Sequence, residues 1–117
     1  MSIKTLQKEI NKQLDSCFDE MVEIRRHFHM YPELSNQEEK TAAFIASYYE
    51  SLGVPIRTKV GGNGVLAYIE GSEPGPAVAL RADFDALPIQ DEKDVPYASK
   101  VPGVMHACGH DGHTAAL

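Results

Sequence analysis

The chain has 117 residues, enough for one domain with a single core and too few for most two-domain enzymes. Seventeen acidic against eleven basic side chains leave a net charge of −6 with histidines neutral, which argues against a nucleic-acid partner and for ordinary solubility. The amino-terminal MSIKTLQKEINKQ lacks an apolar signal core, and no run approaches the roughly twenty apolar residues of a membrane span, so a cytoplasmic chain without a membrane partner is expected.

Ile3, Leu6, Ile10, Leu14, Cys17, Met21, Ile24 and Phe28 recur at steps of three and four, which predicts a long amphipathic helix whose default role is packing on a sheet. A coiled coil would use the same spacing, but the heptads are few and the flanking charges follow no consistent code. Cys17 falls on the apolar stripe and reads as a structural thiol, and both Cys17 and Cys108 are expected to be reduced.

Pro32 stops this helix, and Ser35 with Glu38 three residues on is a capping-box signature for a second. That helix is predicted over residues 36–52, with Thr41, Phe44, Ile45, Tyr48 and Leu52 on its apolar face and Gly53 as a left-handed cap. The period then changes. Residues 54–60 alternate, Gly61-Gly62-Asn63-Gly64 turns the chain, and residues 65–70 read as the partner strand of a hairpin.

Residues 77–80 are apolar at every position, which predicts a strand covered on both faces, with helices on either side as in an α/β sheet. The strand ends at Arg81-Ala82-Asp83, and ligands in open α/β sheets collect at such carboxyl ends, so Asp83 and Asp85 are candidates. Asp83 capping a turn and pairing with Arg81 is the competing reading. Residues 90–104, polar and punctuated by proline, read as a solvated loop.

That loop leads to His106–Thr114, HACGHDGHT, where a thiol, three imidazoles and a carboxylate crowd nine residues. Cys108 and His110 flank Gly109, so a turning backbone can aim both side chains at one ion while glycine permits close approach. A thiolate with a neutral imidazole suits zinc, and manganese, cobalt or nickel if carboxylates complete the shell. The same cluster could simply cap and pack the start of a helix.

Four segments together resemble a family: RHFHMYPELS (26–35), GNGVLA (62–67), PGPAVALRADFDALPI (74–89) and PYASKVPGVMHACGHDGHT (96–114). They are similar to the amino-terminal part of the metal-dependent N-acyl-amino-acid amidohydrolases, the group of aminoacylases, hippurate hydrolases and auxin-conjugate hydrolases. The resemblance implies the amino-terminal part of a mixed-sheet metallopeptidase catalytic domain with flanking helices. It implies two divalent metal ions, with Cys108 and His110 as ligands. Asp83 matches a strand-end aspartate that in the wider clan orients a metal-binding histidine two positions earlier; here Arg81 holds that place, as is usual in the amidohydrolase branch. His113 and Asp111 have weaker claims, as groups hydrogen-bonded behind the ligands or as the start of a helix opening at Asp111.

The activity so implied is hydrolysis of the amide bond of an N-acyl amino acid or short peptide, with water held between two metal ions and deprotonated by a carboxylate. The glutamate pair, the general base and further histidines of that family lie downstream, as does its lid and dimerisation domain. Residues 1–117 therefore read as an amino-terminal fragment with little or no turnover of its own. A module holding a single structural ion is one alternative, weakened by there being one cysteine near the histidines. A self-associating remnant, pairing through an exposed sheet edge or the first helix, is the other.

Overall fold

A computed structural model describes all residues, Met1–Leu117. In chain order the elements are α1 (Ile3–Met30), α2 (Glu39–Ser51), β1 (Ile56–Val60), β2 (Gly64–Ala67) and α3 (His110–Ala116). No helix is long and apolar enough to cross a membrane.

The start of α1 is capped by Ser2, whose Oγ accepts from the Thr5 N–H at 3.2 Å. The helix ends where Tyr31 N–H bonds the His27 carbonyl and Pro32 withholds the next donor. Its carboxy-terminal half packs and its amino-terminal half does not. Phe28 is 3% exposed and meets Phe44 of α2 edge-on at 5.3 Å, while His27 stacks on the same ring at 4.4 Å. Burying a phenylalanine to this degree is worth about 1.5–3 kcal/mol. In contrast Ile3, Leu6, Ile10, Leu14 and Phe18 stay exposed, and Cys17 is half-buried, its Sγ lying 3.5 Å from the Leu14 carbonyl. The expected packing of α1 on a sheet is thus corrected: its partners are α2 and α3.

The second helix begins three residues later than its predicted start, at Glu39, and the Ser35/Glu38 capping box is not its cap. Glu33 serves instead. Its carboxylate accepts from the backbone N–H groups of Lys40 (3.2 Å) and Thr41 (2.6 Å) and from Thr41 Oγ1 (2.6 Å). An anion there satisfies donors left free by the first turn and complements the helix dipole. The carboxy-terminus is as expected: Gly53 has φ 71°, its N–H bonds the Glu50 carbonyl, and Val54 N–H bonds that of Tyr49, a paired cap that favours glycine.

The hairpin β1–β2 is antiparallel, pairing Ile56 with Ala67, Arg57 with Leu66 and Val60 with Gly64. A register shift on β1 coincides with a left-handed Lys59 at φ 55°. Its second strand stops at Ala67, short of the predicted 70. Residues 77–80 depart from expectation more sharply. They form no strand, and Val78 and Leu80 are 83% and 76% exposed. The only sheet is the hairpin, so no neighbouring strand takes up their backbone groups or covers their faces.

Order returns immediately afterwards. Ala86 N–H bonds the Glu33 carbonyl at 2.8 Å, and Leu87 and Met105 exchange bonds of 2.9 and 3.0 Å. Residues 83–87 are thereby stapled between the end of α1 and the approach to the histidine cluster. The loop of residues 90–104 is irregular, but it is not wholly solvated as predicted. Asp91 is buried, Lys100 N–H bonds the Met30 carbonyl, and Tyr97 lies under the Arg26 guanidinium at 4.5 Å.

Candidate metal centre

The residues most excluded from water are mainly polar. His29, Glu38, Thr41, Asp91, His106 and Asp111 are buried, against Phe28, Ala46 and Ala86 among the hydrophobics. Three of the six, His29, Asp91 and Asp111, meet where α1, the 90–104 loop and α3 come together.

Gly109 sets the direction of the cluster. At φ 100° it sits in the left-handed region that side-chain-bearing residues rarely adopt, and α3 starts at the next residue. The turn places His110 against the stapled segment. Its Nδ1 lies 2.8 Å from Asp85 Oδ1 and 3.1 Å from the Asp85 carbonyl. Both are acceptors, so Nδ1 carries a proton, and of the two neutral tautomers the contact selects the one with its lone pair on Nε2. This is the arrangement by which a carboxylate fixes the tautomer and angle of a metal-binding histidine.

Asp83, Asp85 and His110 each offer a ligand atom, and these atoms lie within 4.8 Å of one another. With Nδ1 of His110 taken up by Asp85, the imidazole and the Asp83 carboxylate are what this group offers a divalent cation, and their chemistry suits one. Asp83 is also engaged elsewhere: Arg81 Nη2 approaches its Oδ1 at 2.6 Å, and its carbonyl accepts from Thr114 Oγ1 at 2.6 Å. The carboxylate bonded to His110 is therefore that of Asp85, while Asp83 stands beside it. Cys108 is exposed, with a free thiol, and lies outside the group of three. His113 is exposed, its ring 6.2 Å from that of His110.

Asp111, 2% exposed, is turned away from this group; it accepts from His29 Nδ1 at 2.8 Å and forms an ion pair with Arg25, whose Nε lies 2.9 Å away. On its other side His29 Nε2 lies 3.3 Å from Asp91 Oδ2, within ion-pair reach but not aligned as a hydrogen bond. Asp91 is held well below the usual carboxylate range, first by the Lys93 ammonium at 2.6 Å and then by the Ser99 N–H, which together outweigh burial. His106 has no partner on either ring nitrogen. Burial holds it below the ordinary histidine value, with Asp111 opposing and His29 and His110 reinforcing the shift.

Sequence reasoning gave no role to His29 or Asp91. The signal available for His29 was its place one helical turn after Arg25, beside the apolar stripe, where an imidazole needs a polar partner. Asp91 was hidden by the charged run Asp91-Glu92-Lys93-Asp94, three members of which are indeed exposed.

The family model described as peptidase family M20/M25/M40 matches residues 79–117, the segment that holds Asp83, Asp85, Cys108 and His110. Over all 117 residues the chain is 93% identical to YhaA of Bacillus subtilis, whose name assigns it provisionally to the amidohydrolases. It is 52% identical over 116 residues to the N-acetyl-L-cysteine deacetylase of the same organism, and 50% identical over 110 residues to an N-acyl-L-amino acid amidohydrolase of Geobacillus stearothermophilus. These alignments cover 94–100% of the chain but 28–30% of the relatives, so the chain spans about 30% of the length of the curated relatives it matches. Among solved structures, the YXEP protein of Bacillus subtilis, described as a dinuclear metal-binding peptidase of the M20 family, superposes with a TM-score of 0.82 at 45% identity, covering 88% of this chain and 29% of that one. The resemblance read from the motifs is borne out: the chain is a relative of the M20 amidohydrolases and peptidases, in sequence and in fold.

Proposed function

We propose that the chain supplies the first metal-holding corner of an M20-type amidohydrolase, which hydrolyses the amide bond of N-acyl amino acids or small peptides. The observation that carries this is the His110–Asp85 hydrogen bond, which engages Nδ1 of His110 and leaves Nε2 as the ring's remaining ligand atom. Cys108 and His110 are the proposed ligands, Asp85 takes the orienting part that the resemblance gives to Asp83, and Asp83 adds negative charge at the same corner. When bound, a pair of divalent ions, zinc, manganese, cobalt or nickel, supplies Lewis acidity and lowers the pKa of water. Cys108 acts as a thiolate, which offsets the cationic charge, and His110 binds without adding to the anionic total. Two free thiols in the chain suit a reducing, cytoplasmic setting.

Because one thiol, one imidazole and two carboxylates hold a metal pair incompletely, the 117-residue chain alone is expected to show little or no turnover of N-acetyl or N-benzoyl amino acids with added zinc or manganese. The activity reading is tested by a hybrid in which this chain replaces the matching segment of the B. subtilis N-acetyl-L-cysteine deacetylase. Metal-dependent hydrolysis by the hybrid supports the proposal. A folded, metal-loaded but inert hybrid, or robust turnover by the chain alone, counts against it.

Self-association is a second reading, favoured by the exposed Ile3, Leu6, Ile10, Leu14 and Phe18 along α1. Concentration-dependent light scattering separates it from a monomer.

A further inference from the structure

Asp111 follows the proposed ligand His110 directly, yet its carboxylate is wholly withdrawn from the candidate centre. One oxygen, Oδ2, takes both an ion pair from Arg25 Nε and a hydrogen bond from His29 Nδ1, side chains one turn apart on α1. The side chains of His29 and Asp111 are each 2% exposed. At the far edge of the imidazole, Asp91 is fixed by Lys93 and Ser99. The first turn of α3 is thus fastened to the end of the longest helix at the residue next to His110.

We propose that the Arg25/His29 pair is a positioning device for the metal centre: by gripping Asp111 it fixes the peptide that carries His110, and so presents Nε2 of His110 ready to bind. The inference rests on the reading of Cys108 and His110 as ligands. Three features favour a tuned contact over ordinary helix packing. A carboxylate desolvated to this degree is expensive unless fully paired, and here its donors come from an element 82 residues away in sequence. The short α3 has seven residues and starts at a glycine without a side-chain cap, so its first turn depends on contacts outside the helix. His110 is also held from the opposite side by Asp85, leaving two anchors, Asp85 on the ring and Asp111 on the backbone, that define its approach.

The test is Co²⁺ titration of the 117-residue chain, following the thiolate-to-cobalt absorption that reports Cys108, alongside thermal unfolding of the metal-free protein. The variants are His29→Leu, which removes the donor, His29→Asn, whose amide N–H takes the place of Nδ1, and Arg25→Met, which removes the second donor at a half-buried side chain. Loss of groups behind a metal ligand characteristically lowers affinity about 10–100-fold. The expected result is such a loss in His29→Leu, recovery to within about threefold in His29→Asn, and a several-fold loss in Arg25→Met, with the ranking of affinities not following the ranking of metal-free stabilities. Wild-type affinity in both His29→Leu and Arg25→Met overturns the proposal, as does an equal loss in His29→Leu and His29→Asn that tracks metal-free stability. If His29→Leu does not fold, Arg25→Met decides: undiminished affinity refutes the grip and a several-fold loss upholds it. If the wild-type chain binds Co²⁺ without the thiolate absorption, or not at all, it is the ligand reading that falls, and the positioning role falls with it.

Discussion

Asp85 holds His110 by both its side chain and its own carbonyl, at 2.8 and 3.1 Å from the same ring nitrogen. A single residue therefore fixes the proton on Nδ1 and limits rotation of the ring, and the lone pair of Nε2 is the product of that contact.

Replacing Asp85 by asparagine leaves the carbonyl but weakens the charge-assisted bond, and a divalent ion should bind about 10–100-fold more weakly. Asp83→Asn should lose less, since Asp83 makes no hydrogen bond to the ring. Isothermal titration with Zn²⁺ or Co²⁺ ranks the two, and an Asp83 effect larger than that of Asp85 would reverse the assignment of the orienting group.

Gly109→Ala forces a side-chain-bearing residue into φ 100°. Space is not the obstacle, because an added Cβ would meet only the His113 ring, at 3.8 Å. The backbone is. A destabilisation of about 1–3 kcal/mol is expected, with weaker metal binding as the turn relaxes. Urea unfolding of the metal-free chain reads the first effect, and an unchanged midpoint would show that the turn is not confined to the left-handed region.

Much of this scaffold was legible in the order of residues. The 3.6-residue period of α1, the glycine cap at Gly53 and the Gly61–Gly64 turn are local signals, and the elements formed where those signals stood. Residues 77–80 were read correctly as apolar but not as what they become, since a strand needs a neighbour and the local pattern cannot say whether one is present. The centre divides in the same way. Gly109 and His110 declare themselves by spacing, but Asp85 rather than Asp83 meets the ring because Ala86 and Leu87 are bonded to Glu33 and Met105, contacts made across the fold.

Glu33 is a case where tertiary placement overrode a sequence motif. Glu33→Gln should lower stability by about 1 kcal/mol and Glu33→Ala by up to about 2 kcal/mol, by loosening the cap on α2. Ser35→Ala, in contrast, should change little. Thermal unfolding followed by far-ultraviolet circular dichroism compares the three, and a larger loss in Ser35→Ala would restore the capping box.

Asp91 gives the acid limb of the stability profile. Its folded pKa is depressed, so its contribution is complete above the ordinary aspartate value near 4 and drains away as pH falls toward the lower folded value. Asp91→Asn should be less stable than wild type by about 1–3 kcal/mol at neutral pH, with the two curves converging in acid. Unfolding midpoints stepped downward from pH 7 display this, and parallel curves would exclude the linkage.

His106 acts in the same direction, over a higher pH range. Its folded pKa is also lowered, so the unfolded chain takes up a proton first and stability should fall as pH drops below about 6.5. With a chelator present, His106→Leu should flatten that decline and, by removing two unpartnered nitrogens, should match or exceed wild-type stability at neutral pH by up to about 1 kcal/mol. Melting temperatures between pH 7 and 5 check both claims together.

The preponderance of imidazole, hydroxyl and carboxylate over hydrocarbon in the interior has a calorimetric corollary. Newly wetted oily surface raises the heat capacity on unfolding and newly wetted polar surface lowers it, so the increment here should fall short of the ~12–15 cal/mol/K per residue of ordinary domains. The free-energy curve against temperature should accordingly be broad and shallow, with cold and heat approaching the folded state almost symmetrically and neither weakening it abruptly.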